Sequence, residues 1–313
     1  MSQPDPRFFG QDILSVSQFD RDAVETIFDV AADMQIMVDR LGAFDLLKGK
    51  VLTNLFYEPS TRTSSSFAAA VERLGGSVVQ INDVKTSSVA KGETLEDTVR
   101  SMESYTDAIV LRHPEEGAVG RAAVATAKPI INAGDGSGEH PTQALLDSFT
   151  IRNEMGAIDG LTISMVGDLK YGRTVHSLAK LLTRYDVKIN YVSPKVLNMP
   201  DYVVEEVGAA GIPQHQTADL DEVLAETDVL YVTRIQKERF ASEADYGLVK
   251  DSYVITPKTL TSAKDRMIVM HPLPRVGEIT TDVDADPRAA YFRQMENGMY
   301  VRMALLALVF GRG

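Results

Sequence analysis

Hydroxyl and arginine side chains follow a strand-like segment early in the chain, where they could bind an anion. Ser60-Thr61-Arg62-Thr63 comes directly after the apolar run 51–57 and opens a helical pattern. Free N–H groups and the helix dipole favour an anion at a helix start. The hydroxyl groups and the guanidinium group add further donors, and Ser60 is expected at the N-cap. We predict a phosphate site here; the alternative is an ordinary capped helix.

Two later segments of the first half also end in polar side chains. Arg112 closes the apolar run 107–112, where it could bind an anion or form only a surface ion pair. His140 and Gln143 follow a glycine-rich turn and lie three residues apart, so both can face one ligand from a helix start. A lone histidine is usually structural, whereas this pair is a candidate site that geometry must test.

The second half of the chain carries its own arginines after apolar runs. Segment 167–177 has the placement of a dinucleotide-binding turn, but Gly167 and Gly172 do not complete G-x-G-x-x-G, which argues against NAD. Arg173 lies in that segment, and Arg234 ends the run 228–234. A guanidinium group can bind a carboxylate through two hydrogen bonds. These arginines are therefore candidate carboxylate ligands.

A proline-rich turn, His271-Pro272-Leu273-Pro274-Arg275, follows the apolar run 266–272. Its two prolines remove backbone donors and stiffen the turn. The carbonyl of Leu273 could then accept a hydrogen bond from an amide. The alternative interpretation is simply a rigid turn.

The elements that must position these residues alternate between strand-like runs and helical patterns, which predicts an α/β fold. The expected strands are 51–57, 77–81, 107–112, 128–133, 161–168, 187–193, 228–234 and 266–272. We expect two doubly wound parallel-sheet domains linked by helices. Ligands of such sheets lie beyond the carboxyl ends of the strands, where every motif above falls. We therefore expect guanidinium groups from both halves to meet in a single cleft.

The expected domains are residues 1–145, joined by a C-terminal helix at 288–313, and residues 146–287. The boundary is placed within the helix that starts near Pro141. The segment from Arg288 to Phe310 is apolar around most of its circumference. Such a helix needs burial on several sides, so we expect it to pack back on the first domain.

Composition excludes several classes of protein. The net charge of -12 argues against general binding to nucleic acid or to a membrane surface. The sequence has no Cys, which excludes disulfides and thiolate metal sites. The sequence has no run of about 18 apolar residues, so no transmembrane helix is expected. The first residues lack the apolar core of a signal peptide, so a cytoplasmic location is expected.

Taken together, these motifs resemble the aspartate/ornithine carbamoyltransferase family. STRT, RHP, HPTQ, YGRTVHS, TRIQKER and HPLPR stand in the family's order and roughly its spacing, from about Phe8 to Arg312. SSSFAAAVERLGG and DPRAAYFRQMENGMY are most similar to the aspartate-specific domain of the large fused eukaryotic pyrimidine-synthesis enzymes. The resemblance implies carbamoyl transfer from carbamoyl phosphate to L-aspartate, with neither a metal nor a cofactor. It also implies that the chain could be one domain of a larger multienzyme.

The resemblance assigns a role to each motif. Carbamoyl phosphate would contact Ser60, Thr61, Arg62, Thr63, Arg112, His140, Gln143, Leu273, Pro274 and, from a neighbouring subunit, Ser87. Thr63, Arg112 and His140 would polarise the carbamoyl oxygen. L-Aspartate would contact Arg173, Arg234, Gln236 and, from the neighbour, Lys91. Glu58 and Arg239 would stabilise a closed state. Because Ser87 and Lys91 would act in trans, a homotrimer is the expected minimal unit.

Two alternatives remain open at this point. An ornithine-specific enzyme usually reads His-Cys-Leu-Pro and carries an SMG loop, whereas this chain reads HPLP and has neither Cys nor SMG. Two carboxylate-directed arginines also suit aspartate better than a cationic amine. A catalytically silent subunit kept for assembly is the second alternative, against which the intact motifs argue. No side chain stands out as a general base, so the departing phosphate could accept the proton.

Overall fold

The computed structural model describes residues 4–82, 91–236, 240, 242–250 and 252–313. The chain forms two compact units. The first comprises Met1–Leu146 and Asn297–Gly313, and the second comprises Asp147–Glu296. The boundary between them falls inside one helix, Pro141–Met155.

The first unit is built on a four-stranded parallel sheet with the order β2-β1-β3-β4. Its strands are β1 (Val51–Phe56), β2 (Ser77–Ile81), β3 (Ala108–His113) and β4 (Ile130–Asp135). In β1, every residue after the first is buried, as expected for a parallel strand covered on both faces. Leu55, Ile109, Leu111 and Ile130 form one core cluster with apolar residues of the neighbouring helices.

The helices of the first unit are α1 (Arg21–Leu41), α2 (Thr61–Arg73), α3 (Leu95–Glu103), α4 (Ala118–Ala125), the first part of α5 (Pro141–Met155) and the last part of α10 (Tyr291–Val309). Local chemistry sets both ends of α1. The side chain of Asp20 caps α1 by accepting from the N–H of Ala23 at 2.8 Å, and Gly42 ends α1 at a φ of 74°.

The second unit carries a five-stranded parallel sheet with the order β7-β6-β5-β8-β9. Its strands are β5 (Thr162–Val166), β6 (Lys188–Val192), β7 (Gln214–Thr217), β8 (Val229–Val232) and β9 (Ile268–Met270). The helices are α6 (Arg173–Leu182), α7 (Asp201–Ala209), α8 (Asp221–Leu224) and α9 (Glu243–Gly247), with the remaining parts of α5 and α10. Val166, Val192, Leu230 and Val269 belong to its largest described core cluster.

The predicted α/β class with two parallel sheets is confirmed. Six strands lie within the segments expected for them, and β3 and β4 overlap theirs but extend one and two residues further. Strand β7 was not predicted, because Gln214–Thr217 reads QHQT and has no apolar alternation. The C-terminal helix returns to the first unit from Asn297 onward. Every residue from Tyr300 to Val309 is buried, as its apolar circumference requires.

The order of the strands marks one edge of each sheet as the place for a ligand. In the first unit β2 and β3 lie on opposite sides of β1, and in the second unit β6 and β8 lie on opposite sides of β5. A crevice opens at such a switch point, beyond the carboxyl ends of the two strands. The sequence motifs after β1, β3, β5 and β8 stand at these two points.

Across the part of the chain that the structure describes, no helix combines the length and the apolar character that crossing a membrane requires.

Candidate active site

The start of α2 follows β1 at the switch point of the first unit. Ser60 occupies the N-cap, as predicted, but its side chain makes no capping hydrogen bond. Thr63 is buried in the first turn. Two hydrogen bonds of Ser64 fix this turn. The side-chain amide of Asn54 donates to the carbonyl of Ser64 at 3.0 Å, and the hydroxyl of Ser64 donates to the side-chain oxygen of Asn82 at 3.0 Å. The helix start is thus anchored through residues other than its cap, which suits an anion site.

Arg112 lies at the end of β3, beside that helix start, with a side chain only 14% exposed. Its Nη2 lies 2.7 Å from Glu58 Oε2, and its Nη1 donates to the carbonyl of Ala133 at 3.4 Å. Its Nε is buried without a hydrogen-bond partner among the described residues. Burial lowers the pKa of Arg112; the charge of Glu58 opposes this shift and the nearby charge of Arg62 adds to it.

Two cationic groups therefore share this corner of the first unit. Arg62 lies close enough to Arg112 to repel it. One carboxylate, that of Glu58, contacts Arg112 directly, so the ion pair that was the alternative to anion binding is present, with the Arg112 side chain buried more deeply than that of Glu58. An incoming dianion could offset the remaining repulsion and accept donors from both guanidinium groups. The expected role of Glu58 in a closed state stays a prediction.

His140 and Gln143 stand at the start of α5 and are both buried. The N–H groups of Gln143 and Ala144 donate to the carbonyl of His140 at 3.0 and 3.2 Å, which fixes the first helical turn. Both side chains belong to the same unit as Arg112. Their expected contact with one ligand stays a prediction.

The loop between β4 and α5 is held in place by local contacts that the sequence did not reveal. Gly136 has a φ of 53°, and a Cβ there would lie 2.5 Å from the backbone nitrogen of Glu116, so only glycine fits. Asp135 accepts from the N–H of Gly117 at 3.1 Å. Glu139, immediately before His140, accepts from the hydroxyl of Ser15 at 2.7 Å. His140 is therefore carried by a loop tied down on both sides.

At the switch point of the second unit, the ends of β5 and β8 approach each other closely. Gly167 has a φ of 115°, and a Cβ there would lie 2.3 Å from the carbonyl oxygen of Thr233. Thr233 donates its N–H to the carbonyl of Val166 at 2.8 Å. The fully buried carboxylate of Asp168 accepts from the N–H of Tyr171 at 3.0 Å. These contacts set the positions of the residues that follow each strand.

Arg173 and Gln236 meet at this point through a shared acceptor. The carbonyl of Tyr171 accepts from the backbone N–H of Arg173 at 3.1 Å and from the side-chain amide of Gln236 at 3.4 Å. Arg234 lies two residues before Gln236, and all three side chains are only partly buried. The structure thus brings the predicted carboxylate ligands of the second unit to one edge of its sheet.

The proline-rich turn follows β9 in the same unit. Leu273 has a φ of 49°, which is uncommon for a residue other than glycine, and its bond to Pro274 is cis. The N–H of Leu273 donates to His271 Nδ1 at 2.7 Å. The other ring nitrogen, Nε2, lies 2.7 Å from Glu278 Oε1. A positive φ at a residue other than glycine persists only where its surroundings hold it, and this is common at functional sites.

Glu278 is the acidic partner of this turn, and it is buried. Burial alone would raise its pKa. The hydrogen bonds from His271 and from the N–H groups of Gly277 and Val276 outweigh burial and lower the pKa of Glu278 to about 2. The carboxylate is therefore ionised, and it accepts hydrogen bonds from both ends of the segment it closes.

Three predicted residues have no described place in these clusters. Ser87 and Arg239 lie outside the described residues. Lys91 is exposed, close before α3. Among the residues that the structure describes, no group of three or more His, Asp or Glu side chains is arranged to hold a metal ion.

Sequence reasoning missed two buried acids that shape the second cluster, Asp168 and Glu278. Each had a weak signal. Asp168 follows the glycine at the end of β5, and Glu278 follows the proline-rich turn by a few residues. Neither signal separates a positioning acid from an exposed one without the fold.

A chain with two parallel-sheet α/β units, a hydroxyl- and arginine-bearing helix start in one and an arginine-bearing switch point in the other, falls in the class of two-unit α/β proteins whose switch points suit small ligands. Residues 11–153 match the aspartate/ornithine carbamoyltransferase carbamoyl-P binding domain, and residues 159–309 match the Asp/Orn binding domain. The chain belongs to the aspartate/ornithine carbamoyltransferase family.

Individual relatives are similar over nearly the whole chain. "Multifunctional protein pyr1-3" of Dictyostelium discoideum is 62% identical over 97% of this chain, which spans only 14% of that protein's length. "Aspartate carbamoyltransferase catalytic subunit" of Thermoplasma volcanium is 53% identical, with 96% of this chain and 98% of that protein covered. A crystal structure of aspartate transcarbamoylase from Trypanosoma cruzi, in complex with carbamoyl phosphate and aspartate, is 48% identical, with a TM-score of 0.93 and 98% of each chain covered.

Proposed function

We propose that this chain transfers the carbamoyl group of carbamoyl phosphate to the amino group of L-aspartate, giving N-carbamoyl-L-aspartate and phosphate in de novo pyrimidine synthesis. The observation that carries the proposal is the pair of clusters on one chain. The first unit has Arg62 and Arg112 beside a helix start, and the second has Arg173, Arg234 and Gln236 at one switch point. One cluster suits a phosphate group and the other suits a dicarboxylate.

In this proposal the first unit binds carbamoyl phosphate. Ser60, Thr61 and Thr63 offer hydroxyl groups at the start of α2, where backbone N–H groups and the helix dipole favour an anion. Arg62 and Arg112 contribute charge-assisted donors. Support comes from the lack of a side-chain cap and from the buried Nε of Arg112, which has no hydrogen-bond partner among the described residues.

The second unit binds L-aspartate and supplies one group to the carbamoyl amide. The two carboxylates are bound by Arg173, Arg234 and Gln236. The carbonyl of Leu273, with Pro274 beside it, accepts from the carbamoyl NH₂ together with Gln143. Two arginines favour a substrate with two carboxylates over ornithine, whose side chain would bring a cation to them.

The reaction forms a bond between the aspartate nitrogen and the carbamoyl carbon, and it breaks the bond between that carbon and the phosphate oxygen. Thr63, Arg112 and His140 polarise the carbamoyl oxygen, where negative charge develops during attack by the neutral amine. The nitrogen loses a proton as the bond forms, and the departing phosphate accepts it. Solvent-isotope and pH–rate measurements test this step: a titration that belongs to a side chain and not to phosphate would contradict it.

We also propose that the active unit is a homotrimer in which Ser87 and Lys91 of one subunit reach the site of its neighbour. Glu58 and Arg239 stabilise the closed state. Subunit mixing tests the trimer. Lys91→Ala and Arg112→Ala proteins, each inactive alone, should regain activity when mixed and reassembled, because one site of a hybrid trimer has both residues. A mixture that stays inactive although hybrids form would contradict the sharing of sites.

We also propose a cellular context for this chain. The chain spans about 14% of the length of the multifunctional relatives that it matches. We propose that it acts in the cytoplasm as one part of a larger multienzyme. An antibody against this chain should detect, in the cytosolic fraction, a polypeptide far larger than 34.3 kDa. A band of about the chain's own mass, or one in a membrane fraction, would contradict this context.

A colorimetric or chromatographic assay for carbamoyl-aspartate tests the activity itself. The isolated chain should form carbamoyl-aspartate from carbamoyl phosphate and L-aspartate, and it should form no citrulline from L-ornithine. Citrulline formation would favour the ornithine-specific alternative. A folded trimer without either activity would favour the silent subunit.

A further inference from the structure

The turn that carries Leu273 is held by a chain of buried polar residues that the reaction does not use directly. His271 is the first of them, and its ring contacts the backbone of the turn. Its Nδ1 accepts from the N–H of Leu273 at 2.7 Å. Because Pro272 and Pro274 have no N–H, the amide of Leu273 is the only backbone donor within Pro272-Leu273-Pro274.

The geometry fixes which ring nitrogen of His271 carries the proton. Nδ1 must present a lone pair to the N–H of Leu273, so in the neutral ring Nε2 carries the hydrogen and donates to Glu278 Oε1 at 2.7 Å. The second oxygen of Glu278 accepts from the N–H groups of Val276 and Gly277, each at 3.0 Å. The imidazole thus bridges the two ends of one loop.

On the other side of His271, the hydrogen-bonded residues extend into the core of the second unit. The backbone N–H of His271 donates to Gln294 Oε1 at 2.9 Å, and Gln294 Nε2 donates to Asp147 Oδ1 at 2.6 Å. Asp147 Oδ2 also accepts from the hydroxyl of Tyr231 at 2.7 Å. His271, Gln294, Asp147 and the ring of Tyr231 are all buried. These hydrogen bonds therefore connect the turn to α10, α5 and β8.

We propose that His271 is a positioning residue for carbamoyl transfer: its Nδ1 sets the orientation of the Leu273 peptide, and so aims the Leu273 carbonyl at the carbamoyl amide. Glu278 fixes the tautomer, and Gln294 with Asp147 fixes the place of the ring. The inference rests on the proposed function, because it assigns a purpose to the Leu273 carbonyl in that reaction. It adds a specific requirement, an acceptor at the Nδ1 position.

Two substitutions of similar size separate this role from simple packing. In His271→Asn the side-chain oxygen can replace Nδ1 as the acceptor for the Leu273 N–H, while the link to Glu278 is lost. In His271→Gln the side-chain amide can replace Nε2 and keep the link to Glu278, while the Leu273 N–H loses its acceptor. We expect His271→Gln to have a kcat/KM for carbamoyl phosphate about 10- to 100-fold below that of His271→Asn.

Inorganic phosphate is the matched control ligand, because it has no amide for Leu273 to hold. Its dissociation constant, measured by calorimetry, should agree within about twofold for wild type and both variants, as for a site with unchanged contacts. Equal kcat/KM values for the two variants would overturn the inference, as would a loss of phosphate binding parallel to the loss of turnover. If the wild type forms carbamoyl-aspartate but the two variants have equal kcat/KM values, the proposed function stands and the role proposed for His271 is wrong. Wild type that forms none overturns the proposed function and this inference with it.

The tautomer gives a test that needs no activity and no variant. With ¹⁵N-labelled histidine, the ring of His271 in wild type should show the chemical shifts of a protonated Nε2 and an unprotonated Nδ1 at neutral pH. A protonated Nδ1 would overturn the inference even if both variants failed to fold.

Discussion

Gly167→Ala is the substitution whose effect the structure constrains most closely. A Cβ at this position would lie 2.3 Å from the carbonyl oxygen of Thr233 and 2.8 Å from its hydroxyl oxygen. Carbon and oxygen need roughly 3.5 Å, so the ends of β5 and β8 must separate by about 1 Å. The φ of 115° adds strain for any residue with a side chain. Because Thr233 directly precedes Arg234, the separation displaces the proposed aspartate ligand.

The size of the effect follows from these two terms. Forcing a side chain into a packed position costs about 1–3 kcal/mol, and the unfavourable backbone angle costs about 1–3 kcal/mol more. Stability of the second unit should fall by about 2–6 kcal/mol, a large part of the roughly 5–15 kcal/mol of an ordinary domain. A displacement of about 1 Å at a substrate-binding group lowers kcat/KM by about 10²-fold. We expect that loss for aspartate and little change in carbamoyl phosphate binding.

Steady-state kinetics with varied aspartate, calorimetry with carbamoyl phosphate and thermal unfolding measure the three quantities. Gly211→Ala is the matched control: it lies in the same unit and has a φ of 84°, but nothing lies within 4 Å of the added Cβ. It should lose stability through the backbone angle alone and keep wild-type kinetics. A Gly167→Ala protein that keeps the aspartate kcat/KM of wild type, or an equal loss of aspartate kcat/KM in both variants, would refute the predicted displacement of Arg234.

Three other predictions concern single side chains. His140→Ala and Thr63→Ala should each lower kcat by about 10²–10³-fold and raise KM less, because each removes a donor to developing charge; near-wild-type turnover in both would remove them from the mechanism. Arg234→Ala should chiefly raise the KM for aspartate, and an unchanged aspartate saturation curve would make its assignment wrong. Glu278→Gln should lower stability at pH 7 by about 1–3 kcal/mol. Because the pKa of Glu278 is lowered in the fold from 4.5 to about 2, its contribution is present above pH 4.5 and is lost as the pH falls toward 2; the difference in Tm between wild type and Glu278→Gln should shrink over that range, and a constant difference would contradict the assignment.

Local sequence patterns predict most of the strands of the fold. Predominantly apolar runs such as VLTNLF and TISMV are typical of parallel strands buried on both faces, and both runs form such strands. The pattern fails for β7, where QHQT forms an edge strand through backbone pairing with β6 and not through apolar side chains. A strand of that kind is specified by its neighbour, so its own residues cannot reveal it.

The sequence predicts the candidate side chains that directly follow a strand. It does not predict the distant residues that hold those side chains in place. STRT, RHP and TRIQ could be placed from the strands that precede them. By contrast, Tyr231 and Gln294 meet at Asp147 across 84 and 147 positions of sequence. Their polar side chains look like ordinary surface residues until the fold buries them. The chain of contacts behind the proline-rich turn could therefore be found only in the structure.

We propose above all that the arginine cluster of the first unit and that of the second act on one pair of substrates. Calorimetry with N-(phosphonacetyl)-L-aspartate, which joins a phosphonate and a dicarboxylate in one molecule, tests this claim most directly. We expect one site per chain and a large loss of affinity both in Arg112→Ala and in Arg234→Ala. If either variant binds the compound as tightly as wild type, the two clusters do not serve a common reaction and the account is wrong.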